Sequence, residues 1–195
     1  RSSSGKKVLL VDADEQKTAD TWSIQRDLNE IPNKACITTI RLSEKAVFKQ
    51  VERFRDDYDD IVIDVGGRET KSLRAAMVIA DLFIMPFKPS SFDVWTIVDI
   101  KILIGEMLQA NPKLKCMAVI NQADCRGSEN EKTIQILNDC EEIECCPYTI
   151  GLRKCFRSAA EEGLGISELE IVDQKALKEM QSLYDHVYNK CTTNV

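Results

Sequence analysis

The chain has 195 residues, 44% of them apolar and 30% charged, with a formal net charge of −6. This composition supports one folded core of ordinary size and excludes a disordered or membrane-embedded chain; no apolar run reaches the roughly 18 residues that span a bilayer. The acidic balance excludes wholesale coating of nucleic acid but not a local basic patch.

Strand-like runs at 8–12, 36–40, 61–65, 82–86, 115–121 and 146–150 alternate with amphipathic segments near 16–30, 43–57, 69–80, 92–110, 130–141 and 154–162, before a last helix near 173–190. Strand–helix–strand alternation implies right-handed crossovers, and therefore an α/β fold with a mostly parallel sheet covered by helices on both faces. The strands are continuous aliphatic runs, such as Ile61-Val62-Ile63 and Met117-Ala118-Val119-Ile120, as expected when both faces are buried. Pro86 and Pro89 end the fourth strand, and Ser90 or Ser91 can cap the helix that follows. Trp95, Ile97, Val98, Ile100, Leu103 and Ile104 form an apolar stripe expected in the core, and Trp22 is expected there too. A single domain over 1–195 follows, with a C-terminal helix and tail at 173–195.

Eight cysteines invite a disulfide or zinc reading, yet no Cys-x-x-Cys pair occurs and His186 is the one histidine. Reduced structural thiols in a cytoplasmic protein are the expectation, consistent with an opening Arg-Ser-Ser-Ser-Gly-Lys-Lys that leads into a strand without a secretory signal.

Two strands stop at aspartates: Val8-Leu9-Leu10-Val11-Asp12-Ala13-Asp14 and Ile61-Val62-Ile63-Asp64-Val65-Gly66-Gly67. Parallel α/β sheets bind ligands at the carboxyl edge, where these side chains would emerge together. Carboxylates beside a glycine pair suit a hydrated Mg²⁺ and the phosphates it accompanies, although Asp12 and Asp14 alone would equally suit a turn and a helix cap. The second candidate site is the basic cluster Arg153-Lys154-Cys155-Phe156-Arg157, to be weighed against an ordinary solvated helix face.

Val-Leu-Leu-Val-Asp-Ala-Asp-Glu-Gln resembles the switch I strand end of the deviant-Walker ParA/MinD ATPases, with Glu15 where that family has proline. Ile61 to Arg68 is similar to its Walker B and switch II, Ala80 to Asp93 to its strand ending in Pro and Asp, and Val119-Ile120-Asn121-Gln122 to its base-side strand. The resemblance runs over nearly all of residues 5–165 and is greatest to small ParA-type plasmid partition proteins. The family's glycine-rich loop, Lys-Gly-Gly-x-Gly-Lys-Thr-Thr, has no match. Gly5-Lys6 lacks an earlier glycine at the required spacing and leads into a strand, so it cannot form a helix-terminus phosphate cradle. The expected fold is therefore a P-loop NTPase-like three-layer α/β/α domain that is N-terminally incomplete, lacking its first strand–loop–helix.

The resemblance implies an Mg-dependent ATPase: Asp14 orienting the attacking water, Asp12 and Asp64 holding Mg²⁺ through water, Gly66 and Gly67 sensing the γ-phosphate, and Asn121 near the base. ATP is expected over GTP, because the guanine-reading Asn-Lys-x-Asp pattern lacks its lysine in Asn121-Gln122-Ala123-Asp124. It further implies a homodimer formed on ATP, nonspecific DNA contact through Arg153, Lys154 and Arg157, and a ParB-like centromere-binding partner. No membrane role is expected, since the last helix has no basic stripe; His186 is incidental in this reading. Two rivals remain, a non-catalytic interaction module of the same fold and a receiver-type phosphoacceptor domain using Asp64.

Overall fold

The computed structural model describes residues 1–29, 35–67, 70–89, 94–124 and 129–192. They divide into two units, Arg1–Ala80 with Ser158–Glu168, and Asp81–Arg157 with Leu169–Val195.

The first unit contains β1 (Val8–Asp12), α1 (Thr18–Leu28), β2 (Thr38–Arg41), α2 (Lys45–Phe54), β3 (Asp60–Asp64) and α3 (Lys71–Ile79). Its strands form a parallel sheet in the order β2-β1-β3. Leu9 and Val11 of the central strand are fully buried and pack with Val47 and Val51 of α2 and Ala76 and Ile79 of α3. The α2 residues are four apart, so one helical face meets the sheet. Thr70 caps α3 by accepting the Leu73 N–H at 3.1 Å.

α1 departs from the amphipathic expectation. Its buried residues are Ser23 and Arg26, while Ile24 and Leu28 are exposed. Arg26 is only 4% exposed, and all its donor nitrogens have partners. Its guanidinium donates to both Glu168 oxygens at 2.7 Å, to Gly163 O at 3.1 Å and to Ala35 O at 2.9 and 3.3 Å. Trp22 lies beneath it, 5.4 Å from ring centroid to guanidinium carbon, and donates its indole N–H to Leu164 O at 3.4 Å. A buried cation is tolerable only when paired and hydrogen-bonded in this way. The bonds to Arg26 hold the Glu168 carboxyl below the usual carboxylate range. Apolar periodicity cannot reveal such a helix, because its inward face is polar.

The second unit contains β4 (Leu82–Phe87), α4 (Val94–Ala110), β5 (Lys115–Ala123), α5 (Glu129–Asn138), β6 (Glu144–Cys145), β7 (Ile150–Gly151) and α7 (Gln174–Thr192), while α6 (Lys154–Glu161) passes from it into the first unit. β5 is buried from Cys116 to Ile120 and pairs in parallel with β4, β6 and β7. The single strand expected at 146–150 is instead two short ones. The ladder runs on through the Cys146 N–H to Ala118 O, 2.8 Å, and then meets Pro147, which has no N–H to donate. In α4, Leu103 and Ile104 are buried as expected, but Val98 is 47% exposed. Ser90, Ser91 and the side chains of Trp95 and Ile97 lie outside the described residues.

α7 packs Leu183 and Val187 on Met117, Val119, Cys146 and Ile150. Asp173 caps it, accepting from the Lys175 and Ala176 N–H groups at 2.9 and 3.1 Å. His186 is not incidental: its Nε2 lies 2.9 Å from Glu144 Oε1, and its ring meets Tyr148 edge-on at 5.7 Å. Cys36, Cys116, Cys140, Cys145, Cys146 and Cys155 are free thiols, and burial pushes Cys116 up to about 11. Among the described residues no helix is long and apolar enough to cross a membrane.

Gly163 has φ +67°, and a Cβ there would stand 2.2 Å from the Arg26 backbone nitrogen. Gly163→Ala is therefore expected to cost about 3 kcal/mol or more, through left-handed strain and displacement of α1 together. Urea unfolding measures it, and a loss below about 0.5 kcal/mol, the range of neutral surface changes, would contradict the close approach.

Candidate functional site

Parallel pairing places Asp12 of β1 directly opposite Asp64 of β3, at the carboxyl edge of the first sheet. The chain is pinned there by Ala13 N–H donating to Asp64 O at 2.8 Å and Leu42 N–H donating to Asp12 O at 3.0 Å. Asp12 is 2% exposed, and its carboxylate has two fixed donors. One oxygen accepts the Asp14 N–H at 3.1 Å and the other the Asp20 N–H at 2.7 Å, in the first turn of α1. Asp12 thus performs the turn-and-cap role that aspartate at a strand end suggests, and it fixes where Asp14 stands. Each carboxylate oxygen keeps a further acceptor direction for a water.

Asp14 is half-buried and accepts the Gln16 N–H at 3.1 Å. Gly66 closes over it: a Cβ at that position would lie 3.1 Å from Asp14 Oδ1, closer than neighbouring atoms allow without shifting. Among the described residues a Cβ at Gly67 would meet nothing within 4 Å. The Asp64 carboxyl is pushed above the usual range, first by burial and then by the charges of Asp12 and Asp14. Asp12 and Asp64 thus lie in register at this edge, with Asp14 beside Gly66. Among the described residues no group of three or more His, Cys, Asp or Glu side chains forms a cluster that could hold a metal ion. A cation at this edge would be held largely through water, as suits Mg²⁺, and it would relieve the excess of negative charge that burdens Asp64.

The other candidate residues belong to the second unit. Asn121 accepts the Gln122 N–H at 2.9 Å through its side chain, at an irregularity where β5 pairs with β7 and Gln122 has φ +56°. Arg153 is committed within its own unit: its guanidinium binds both Glu179 oxygens and lies 4.0 Å from Asp173. Glu179 also accepts the Gly151 N–H at 3.0 Å. Lys154 and Arg157 are exposed. Sequence reading missed the Arg153–Glu179 pair because its members are 26 residues apart. It also missed Arg41, which ends β2 opposite Asp12 and places its Nε 3.8 Å from Asp20; once β2 is aligned beside β1, its terminal position is the signal.

Parallel sheets with helices, carboxylates at the strand ends and a glycine pair beside them define a P-loop NTPase-like chain of the three-layer α/β/α class. No family model matches the chain. In sequence it is similar to the maintenance of carboxysome distribution protein A of Halothiobacillus neapolitanus, 23% identical over 185 residues, which are 93% of this chain and 82% of that protein. In fold it is similar to cobyrinic acid a,c-diamide synthase from Mycobacterium smegmatis with bound ATP analog and magnesium (TM-score 0.72, 15% identity, 100% of this chain and 88% of the other). It is also similar to apo McdA from Cyanthece (0.71, 15%, 95% and 89%) and to a plasmid partition protein from Borrelia burgdorferi (0.61, 16%, 96% and 87%). The chain thus shares its fold with these proteins and, at 23% identity, is similar in sequence to one positioning protein.

A carboxyl with a raised folded-state pKa costs stability once pH passes its unfolded value, because the unfolded chain releases that proton first. With no divalent cation, Asp64→Asn is expected to raise the melting temperature at neutral pH. The gain should shrink as pH falls through the raised folded value toward the ordinary aspartate value of about 3.9, and vanish below it. Millimolar Mg²⁺ should stabilise the parent chain more than the variant. Calorimetric melts across pH test this, and a variant less stable than its parent at neutral pH would refute the charge excess.

Proposed function

We propose that this chain serves a ParA-type ATPase, one domain that binds Mg·ATP, dimerises on it, hydrolyses it slowly and, as a dimer, holds DNA without sequence preference to segregate plasmid or chromosomal DNA. The observation that carries the reading is the grouping at the first sheet's edge, with Asp12 and Asp64 in register and Asp14 against Gly66. Bound Mg²⁺ would neutralise charge on the triphosphate. Asp12 and Asp64 would hold its water ligands, Asp14 would orient the attacking water, and Gly66 and Gly67 would follow the γ-phosphate. Asn121 would lie beside the base.

DNA contact in this reading falls on Lys154 and Arg157, with Arg153 a weaker third because its charge is already answered by Glu179. A ParB-like centromere-binding protein would stimulate turnover. A second reading keeps the ATPase and changes the cargo to a large protein body, favoured by the name of the sequence relative. A third, a non-catalytic module, is favoured by one sequence fact: no Lys-Gly-Gly-x-Gly-Lys-Thr-Thr loop occurs in these residues.

Without that loop's N–H donors and lysine, these 195 residues alone should bind Mg·ATP only very weakly; micromolar affinity by isothermal titration would contradict this. In a polypeptide that includes a phosphate-binding loop, Asp14→Ala should lower ATP turnover at least tenfold, about 1.4 kcal/mol of barrier. Unchanged turnover would remove Asp14 from catalysis; no turnover in the parent polypeptide would favour the non-catalytic module.

A further inference from the structure

α2 carries a one-sided charge that no role above uses. It turns Val47 and Val51 inward, and its opposite face carries Lys45, Lys49 and Arg53, all exposed. At four-residue spacing these cations form one row along about 12 Å of helix. Like charges at that spacing repel, and a cation in the first turn faces the positive end of the helix dipole. A helix face that is merely solvated tends to alternate signs. Here the bordering carboxylates are drawn elsewhere, Glu44 to Lys71 at 3.9 Å and Glu52 to Arg55 at 2.9 Å. Among the described residues none of the three row cations has a hydrogen bond or ion pair. Phe48, 44% exposed, borders the row.

A self-repelling row of cations, retained in a chain of net charge −6, is complementary to a polyanion. We infer that this face of α2 is a second contact surface for the phosphate backbone of duplex DNA, carried by the first unit and separate in sequence from Lys154 and Arg157. The inference rests on the reading that DNA is the partner. A row of point charges contacts phosphates and reads no bases, so binding here is indifferent to sequence and strongly weakened by salt.

The test is fluorescence anisotropy of a labelled mixed-sequence duplex over a salt series, titrated in saturating Mg·ATP with a parent chain that includes these residues and a phosphate-binding loop. Lys45→Glu/Lys49→Glu/Arg53→Glu is compared with Lys154→Glu/Arg157→Glu. The α2 triple variant is expected to bind at least tenfold more weakly, with the slope of log K against log salt flattened by about 2.7, that is 0.9 for each of three lost phosphate contacts. The corresponding alanine triple, which relieves the repulsion and so keeps the helix folded, should flatten the slope equally. Lys45→Arg/Lys49→Arg should bind as the parent does. Unchanged affinity and slope in both α2 triples, with loss in the Lys154/Arg157 variant, overturns the inference and leaves the DNA reading standing. No binding by the parent chain at any salt overturns both. Parent chain retained on phosphatidylserine vesicles but not on the duplex, with retention lost in the triples, overturns the inference by assigning the row to a lipid surface.

Discussion

The buried carboxylate of Asp12 is the constraint on which the first unit's ligand edge depends. It is covalently part of the central strand, and its two oxygens reach the N–H groups of Asp14 and Asp20. Strand end, loop and the start of α1 are therefore fixed by one side chain. Desolvating a carboxylate is costly, and backbone donors offset that cost only if the loop closes over them. The loop geometry and the burial of Asp12 thus require each other. Asp14 acquires its position from this closure and Gly66 permits it, since a side chain there would press on the Asp14 carboxylate.

The α/β alternation was legible because it rests on local pattern: aliphatic runs too short for helices, punctuated by Pro89 and Pro112. Pro86, expected to end the fourth strand, lies instead inside Leu82–Phe87 opposite Val119. The ends of Val8–Asp12 and Asp60–Asp64 fell within a residue of expectation, since aspartate marks where burial stops. The strand expected at 146–150 split because Pro147 interrupts a hydrogen-bond ladder, although the apolar pattern of 143–150 runs across it. What stayed illegible was long-range and polar. Nothing near Arg26 in sequence announces Glu168, and nothing near Arg153 announces Glu179. Both arginines are structural, Arg153 inside what the sequence presents as a basic cluster.

That difference bears on the basic cluster at the start of α6. Arg153 ties β7 to α7 through a carboxylate that also holds the Gly151 N–H, and its bonds keep Glu179 below the usual range. An arginine that organises three segments is a poor donor to a mobile polyanion, because leaving Glu179 exposes a half-buried charge. The neighbouring Lys154 and Arg157 have no such obligation, so a cluster uniform in sequence is divided in role by tertiary contacts.

The fold thus sorts its charges into two kinds. Arg26 with Glu168, and Arg153 with Glu179, are neutralised within their own units, and their carboxylates are held below the usual range. Asp64 is the reverse case: burial and the like charges of Asp12 and Asp14 push it up. The row on α2 is the matching case for positive charge. A folded chain lowers its free energy by pairing opposite charges wherever geometry permits, and surface side chains are free enough to do so. Charge left in excess at a fixed backbone register, as at Asp12 and Asp64, or repeated along one helix face, as at Lys45, Lys49 and Arg53, is what a ligand of opposite sign would complete. On that criterion the acidic edge and the cationic face of α2 belong to the same unit, and each is recognisable by what the protein itself does not neutralise.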